Sequence, residues 1–180
     1  MKELKKNTFK LYRGFTLVEL ILVVFILSIA ALVAVPMFSS AADIQVRSTA
    51  NRIAADLDYA RGLAITRQKD FWVVFNGTTE SYAIWWNNPA STADEIFTNP
   101  LTNAPFAVNL ANDSRVGGVN IFSTNFTNDT VTFNYLGTPY SGKGEGTSLN
   151  AQGVITLRSR DNSFSLTVKV EPMTGYVTIE

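Results

Sequence analysis

Catalysis draws on a short list of side chains, and this chain of 180 residues lacks two of them altogether: it has no histidine and no cysteine. That removes the commonest general base, the commonest metal ligand, every Ser-His or Cys-His nucleophile, thiolate chemistry and any disulfide framework. The remaining candidates are weak. Asp56 and Asp58 invite a paired-carboxylate reading, but two residues apart on a helix they point about 200° apart and cannot converge on one substrate. They read as solvated charges. Ser141-Gly142-Lys143-Gly144-Glu145-Gly146 has the composition of a phosphate loop without the spacing, the following hydroxyl or the following helix. It reads as a flexible loop. Arg158, Arg160 and Lys169 could share one sheet face and hold phosphates, yet Asp161 and Glu171 lie nearby and the patch is thin. No cofactor, metal or small-molecule substrate is expected, and the chain does not read as an enzyme.

One titratable residue stands in an unusual place. Residues 17–35, LVELILVVFILSIAALVAV, are apolar except for Glu19 and Ser28. At ~1.5 Å per residue such a run spans roughly 29 Å, close to the hydrocarbon thickness of a bilayer. A carboxylate inside it is costly and calls for a partner. Lys2, Lys5, Lys6, Lys10 and Arg13 precede the run against a single Glu3, and no basic residue follows until Arg47. By the positive-inside rule the amino terminus stays cytoplasmic and the rest is exported. The first 14 residues carry a net +4 and the remainder a net −4, so nucleic-acid binding is disfavoured.

Three readings compete for this segment. A cleaved secretory signal would use Ser40-Ala41-Ala42 and leave Asp43 as the new terminus, but the apolar run is long for that role. A plain membrane anchor accommodates the length and leaves Glu19 unexplained. The third rests on Arg13-Gly14-Phe15-Thr16-Leu17-Val18-Glu19, which closely resembles the processing motif of type IV pilins and type II secretion pseudopilins. The resemblance implies that a prepilin peptidase cuts between Gly14 and Phe15 and that the Phe15 amine is methylated. It implies that Glu19 attracts the terminal amine of a neighbouring subunit; buried, each charge is tolerable only as a pair. Pro36, where the family often has a proline, is expected to kink or weaken the helix. Sequence leaves open a simple bend or a segment that melts on assembly.

The elements that position these residues follow from periodicity. Val46, Ala50, Ile53, Leu57, Ala60 and Ala64 recur at spacings of three and four, one helical stripe. A helix over 15–69 is predicted, its half over 15–36 in the membrane and its half over 37–70 amphipathic. Residues 55–65, with Ala60-Arg61 before Ala64-Ile65, resemble the helix of the GspH/FimT family of minor pseudopilins and minor pilins.

Beyond Asp70 the composition turns β-like. Strands are expected at 71–76, 78–86, 106–110, 118–122, 130–135, 153–159, 163–171 and 176–180, with Asn76-Gly77 as a hairpin turn and 87–104 as a loop. Phe164, Leu166, Val168 and Val170 alternate with Ser165, Thr167 and Lys169, giving one apolar and one polar face. Adjacent Trp85 and Trp86 must face opposite sides, one toward the core. Val131–Gly137 and Thr174-Gly175-Tyr176-Val177 resemble the same family's strand-and-turn and terminal hairpin. The expected fold is α+β and pilin-like: a leader over 1–14, a long helix, and an antiparallel two-sheet head over 71–180. The resemblance implies a structural minor pseudopilin of a type II secretion system, with a type IV minor pilin as the alternative. Its implied partners are the inner membrane, the prepilin peptidase, other pseudopilins or pilins and the inner-membrane assembly platform; its implied place is the inner membrane, then a periplasmic filament.

Overall fold

The computed structural model describes residues 14–91, 93–144 and 146–180, and for 33–41, inside a helix, only the backbone. The basic leader residues 1–13 therefore lie outside the described residues, as does the Pro36 side chain, while the backbone at Pro36 is helical. The chain divides into two compact units, 1–38 and 39–180.

Helix α1 is assigned to Leu17–Arg67. In the first unit its described apolar side chains are exposed on every side, from Leu17 to Leu32. In the second unit the predicted stripe is the one buried: Val46, Ala50, Ile53, Leu57, Ala60 and Ala64 are each at most 1% exposed. The helix stops where Gln68 turns into the left-handed region at φ 53° and the Lys69 N–H bonds back to the Ala64 carbonyl at 3.2 Å. That wrap satisfies a terminal carbonyl and releases the chain into a strand.

The strands are β1 (Phe71–Asn76), β2 (Ser81–Asn87), β3 (Asp94–Ile96), β4 (Thr98–Asn99), β5 (Ala104–Pro105), β6 (Ala107–Asn109), β7 (Val119–Thr124), β8 (Thr130–Phe133), β9 (Pro139–Ser141), β10 (Gly153–Ser159), β11 (Ser165–Val170) and β12 (Val177–Ile179). One antiparallel sheet runs β3-β2-β1-β8-β9, with β6 also on β2; a second runs β12-β11-β10-β7; β4 and β5 form a small ribbon. Inward residues of both sheets, among them Phe71, Val73, Phe133, Ile155, Leu157 and Val168, join the helix stripe in a single apolar core. The two-sheet head is as expected.

Three local expectations are corrected. The β1–β2 turn is not a two-residue Asn-Gly turn, because Asn76 pairs with Ser81 across four intervening residues. The Asn76 side-chain oxygen instead accepts the N–H groups of Thr78 and Thr79 at 2.9 and 3.0 Å. A tight turn would also pull Gly77 off β7, where a Cβ would stand 2.8 Å from the Ile121 carbonyl. The expected loop over 87–104 holds β3 and β4, and β9 adds a strand at 139–141 where none is expected. All are two or three residues long, too short for a sequence period to register.

Candidate functional site

Helix α1 begins because Thr16 caps it. The Thr16 hydroxyl accepts the Glu19 N–H at 3.3 Å, and the Leu20 N–H reaches the Thr16 carbonyl at 3.2 Å. Thr16 thus serves as the N-cap, and Glu19, three residues on, sits in the first turn at the positive end of the helix. The sequence reading assigns Thr16 no role, although a threonine directly before an apolar helical run is the local signal of an N-cap.

Gly14, Phe15, Thr16 and Glu19 bound one open concavity. Phe15 lies outside the helix and is 77% exposed. Gly14 has no left-handed backbone, and a Cβ there would meet nothing within 4 Å. The described surroundings therefore impose no glycine at this position.

Farther along the apolar run, Ser28 donates its hydroxyl to the Val24 carbonyl at 2.8 Å and so satisfies itself within the helix. Glu19 has no such internal solution. Among the described residues no cation stands within ion-pair distance of it. Among those same residues no helix is long and apolar enough to cross a membrane.

The head brings together segments far apart in sequence. Arg61 on α1 donates through Nε to the Gly137 carbonyl at 3.3 Å. The β8–β9 turn at Gly137 (φ 80°) and the β11–β12 turn at Gly175 (φ 64°) close on each other there, and a Cβ on Gly175 would lie 2.7 Å from the Gly137 oxygen. Asp56 is not a solvated charge, in contrast to the expectation. It accepts the Tyr82 hydroxyl at 2.5 Å, tying α1 to β2, and burial pushes its carboxyl up despite that bond and Arg52 nearby. Asp58 is exposed and separate from it.

The other candidates have structural occupations. Trp86 packs against the core, stacked on Phe71 with centroids 5.7 Å apart, while Trp85 is half-buried on the opposite face. Lys143 pairs with Asp94 and lies over the Trp72 ring, so the glycine-rich loop straps the outer face of its sheet. The basic trio does not converge: Arg158 lies over Phe122, Lys169 pairs with Glu180, and Arg160 falls beyond the end of β10. Among the described residues no group of acidic side chains is placed to hold a metal ion.

The sequence family described as Type II transport protein GspH matches residues 49–174, and the Prokaryotic N-terminal methylation motif matches residues 10–35. No curated relative matches the chain. Among solved structures, the minor pseudopilin EpsH from the Type 2 Secretion System of Vibrio cholerae is similar with a TM-score of 0.56 at 10% identity, over 76% of this chain and 96% of that one. The type IV minor pilin FimU of Pseudomonas aeruginosa gives 0.49 at 12% identity, over 77% and 90%. The likeness to EpsH establishes the pilin-like α+β fold and nothing finer.

Proposed function

The chain belongs to the GspH family of type II transport proteins, and from that premise we propose that it is a structural minor pseudopilin of a type II secretion system, not an enzyme. Its leader is cut between Gly14 and Phe15 by a prepilin peptidase, and the freed Phe15 amine is methylated. Residues 15–36 hold it in the inner membrane, with the head periplasmic. From there it joins other pseudopilins on the inner-membrane assembly platform to build the periplasmic filament.

One observation carries this reading. Among the described residues Glu19 has no ion-pair partner, and it stands near the start of a helix whose apolar side chains are exposed, close to a glycine that nothing in its described surroundings requires. In water that helix would expose roughly five turns of apolar surface; in lipid or against like helices it is covered, and only Glu19 is left wanting. Cleavage after Gly14 creates a cation on Phe15, ahead of the Thr16 cap. A neighbouring subunit staggered along the axis can then bring its amine to this carboxylate, and a charge pair in low dielectric offsets the desolvation of each.

Glu19→Ala tests the idea. Insertion and leader removal should persist, since the apolar run only lengthens. Cross-linking to the other filament subunits should be lost. Unchanged cross-linking would show the charge to be dispensable; loss of cleavage would assign Glu19 to the peptidase.

A further inference from the structure

Residues directly opposite each other on antiparallel strands share a face, so the outer side of the first sheet is built in rows. Trp72, Trp85 and Ile96 make one row across β1, β2 and β3. Asn76, Ser81 and Asn109 make another across β1, β2 and β6. The row between them is low, because β2 and β6 place only Ala83 and Ala107 beside Val74. The glycine-rich loop covers one corner of this face: Lys143 lies 5.2 Å from the Trp72 ring centroid and pairs with Asp94. Trp72 is consequently buried, whereas Trp85, Val74 and Ala83 are half-buried and Ala107 is exposed. The low floor leaves an open depression of about 370 Å³. That lies in the lower part of the range of small-molecule sites, roughly 300–1,000 Å³.

The lining is selective. No charged side chain borders this depression. Two other concavities of the head share Arg52, one with Asp56 and the other with Asp113 and Arg115. At the polar end of the depression both amides are fixed through their oxygens. Asn76 Oδ1 accepts the N–H groups of Thr78 and Thr79, and Asn109 Oδ1 accepts that of Asn112 at 3.1 Å. A backbone N–H needs an acceptor, so these bonds assign each oxygen and leave each amide nitrogen as a donor. Among the described residues neither nitrogen has a partner. At the opposite end the Trp85 ring borders the cavity. Four residues of strand separate the two ends, roughly 14 Å at ~3.4 Å per residue.

We propose that this depression binds an uncharged glycan of at least two linked sugar rings. One ring lies against Trp85, and the next presents hydroxyl oxygens to the Asn76 and Asn109 amide donors. A sugar supplies both complements at once: a C–H face for an aromatic ring and acceptors for fixed N–H groups. An apolar side chain or lipid tail is the poorer occupant, because it would desolvate two donors and pair neither. An anion finds no counter-charge in the lining, and a single ring is too short to meet both ends. The site lies apart from the amino-terminal motif and does not depend on the filament role proposed above.

Calorimetric titration of the full chain, in a detergent without a sugar head group, tests this with cellobiose, maltose and N,N′-diacetylchitobiose. At least one disaccharide should bind saturably, and glucose should bind about tenfold more weakly or not at all. Binding of diacetylchitobiose alone would make the source an amino-sugar polymer; binding of the other two, a plain glucan. Asn76→Asp combined with Asn109→Asp keeps each accepting oxygen and its turn while replacing the donor by an acceptor. Affinity should fall about tenfold or more in that double variant. Should it fail to fold, nuclear magnetic resonance of the wild type decides. The side-chain amide signals of Asn76 and Asn109 and the Trp85 indole signal should shift with the disaccharide, and the Trp86 indole signal should not. No saturable binding by any of the three, undiminished affinity in the double variant, or unmoved Asn76 and Asn109 signals overturns the proposal. So would a Trp85→Ala variant that loses cross-links to filament subunits when no sugar binds, since the depression would then be a protein contact.

Discussion

Arg61 donates to the carbonyl of Gly137 across 76 residues of sequence, and the Gly175 turn closes against both. The helix is thereby pinned to the turns that end each sheet. Three segments that resemble the same family in sequence are in contact here, and the contact leaves no room for a side chain on either glycine.

Gly175→Ala should therefore destabilise the head by about 2–4 kcal/mol, combining a left-handed backbone with a backbone clash. Gly144 has the same sign of φ, at 78°, but a Cβ there would meet nothing within 4 Å. Gly144→Ala should cost only about 1 kcal/mol. Chemical denaturation of the two variants in detergent would separate conformational strain from crowding.

Tyr82→Phe should cost about 1–3 kcal/mol, because it strips the donor from a largely buried carboxylate. The effect should depend on pH. Burial holds the Asp56 carboxyl above its ordinary value, so its contribution favours the fold below the unfolded value near 3.8 and is lost as pH rises through the folded one. Losing the hydroxyl raises it further. The variant's deficit should be larger at pH 7 than at pH 4, as urea unfolding at both would reveal.

Asp113 works in the opposite direction. Hydrogen bonds from the Arg115 side chain and backbone hold its carboxyl down at about 2, against an ordinary 3.8, with Arg52 adding a smaller pull. Its contribution is complete above the ordinary value and is lost as pH falls from about 4 to about 2. Arg115→Ala should flatten stability against pH in that window while leaving the pH 2 value nearly unchanged. A slope equal to that of wild type would refute the assignment.

Much of this architecture is legible in the residues. The stripe from Val46 to Ala64 is written in spacings of three and four, and the same six residues form the buried helix face. Strand alternation from Phe164 to Val170 likewise survives into β11, with Val168 and Val170 buried. What escaped is non-local or very short. Asp56 reads as solvated until β2 brings Tyr82 onto it from 26 residues away. The two-residue turn at Asn76 fails because Gly77 must sit against Ile121, a tertiary demand that local turn chemistry cannot foresee. β9 is three residues beginning with a proline, and nothing in that run distinguishes it from a loop. The Thr16 cap is a different case, since a threonine directly before an apolar helical run is a local signal that the spacing does carry.

Gly14-Phe15 is proposed as the processing site, so the helix start capped by Thr16 lies at the beginning of the mature subunit. The most direct measurement is the intact mass and amino-terminal sequence of the protein extracted from membranes of cells that carry a prepilin peptidase. Processing at this site gives a single species beginning at Phe15 and heavier by one methyl group. An uncleaved chain, or one beginning at Asp43, would contradict it.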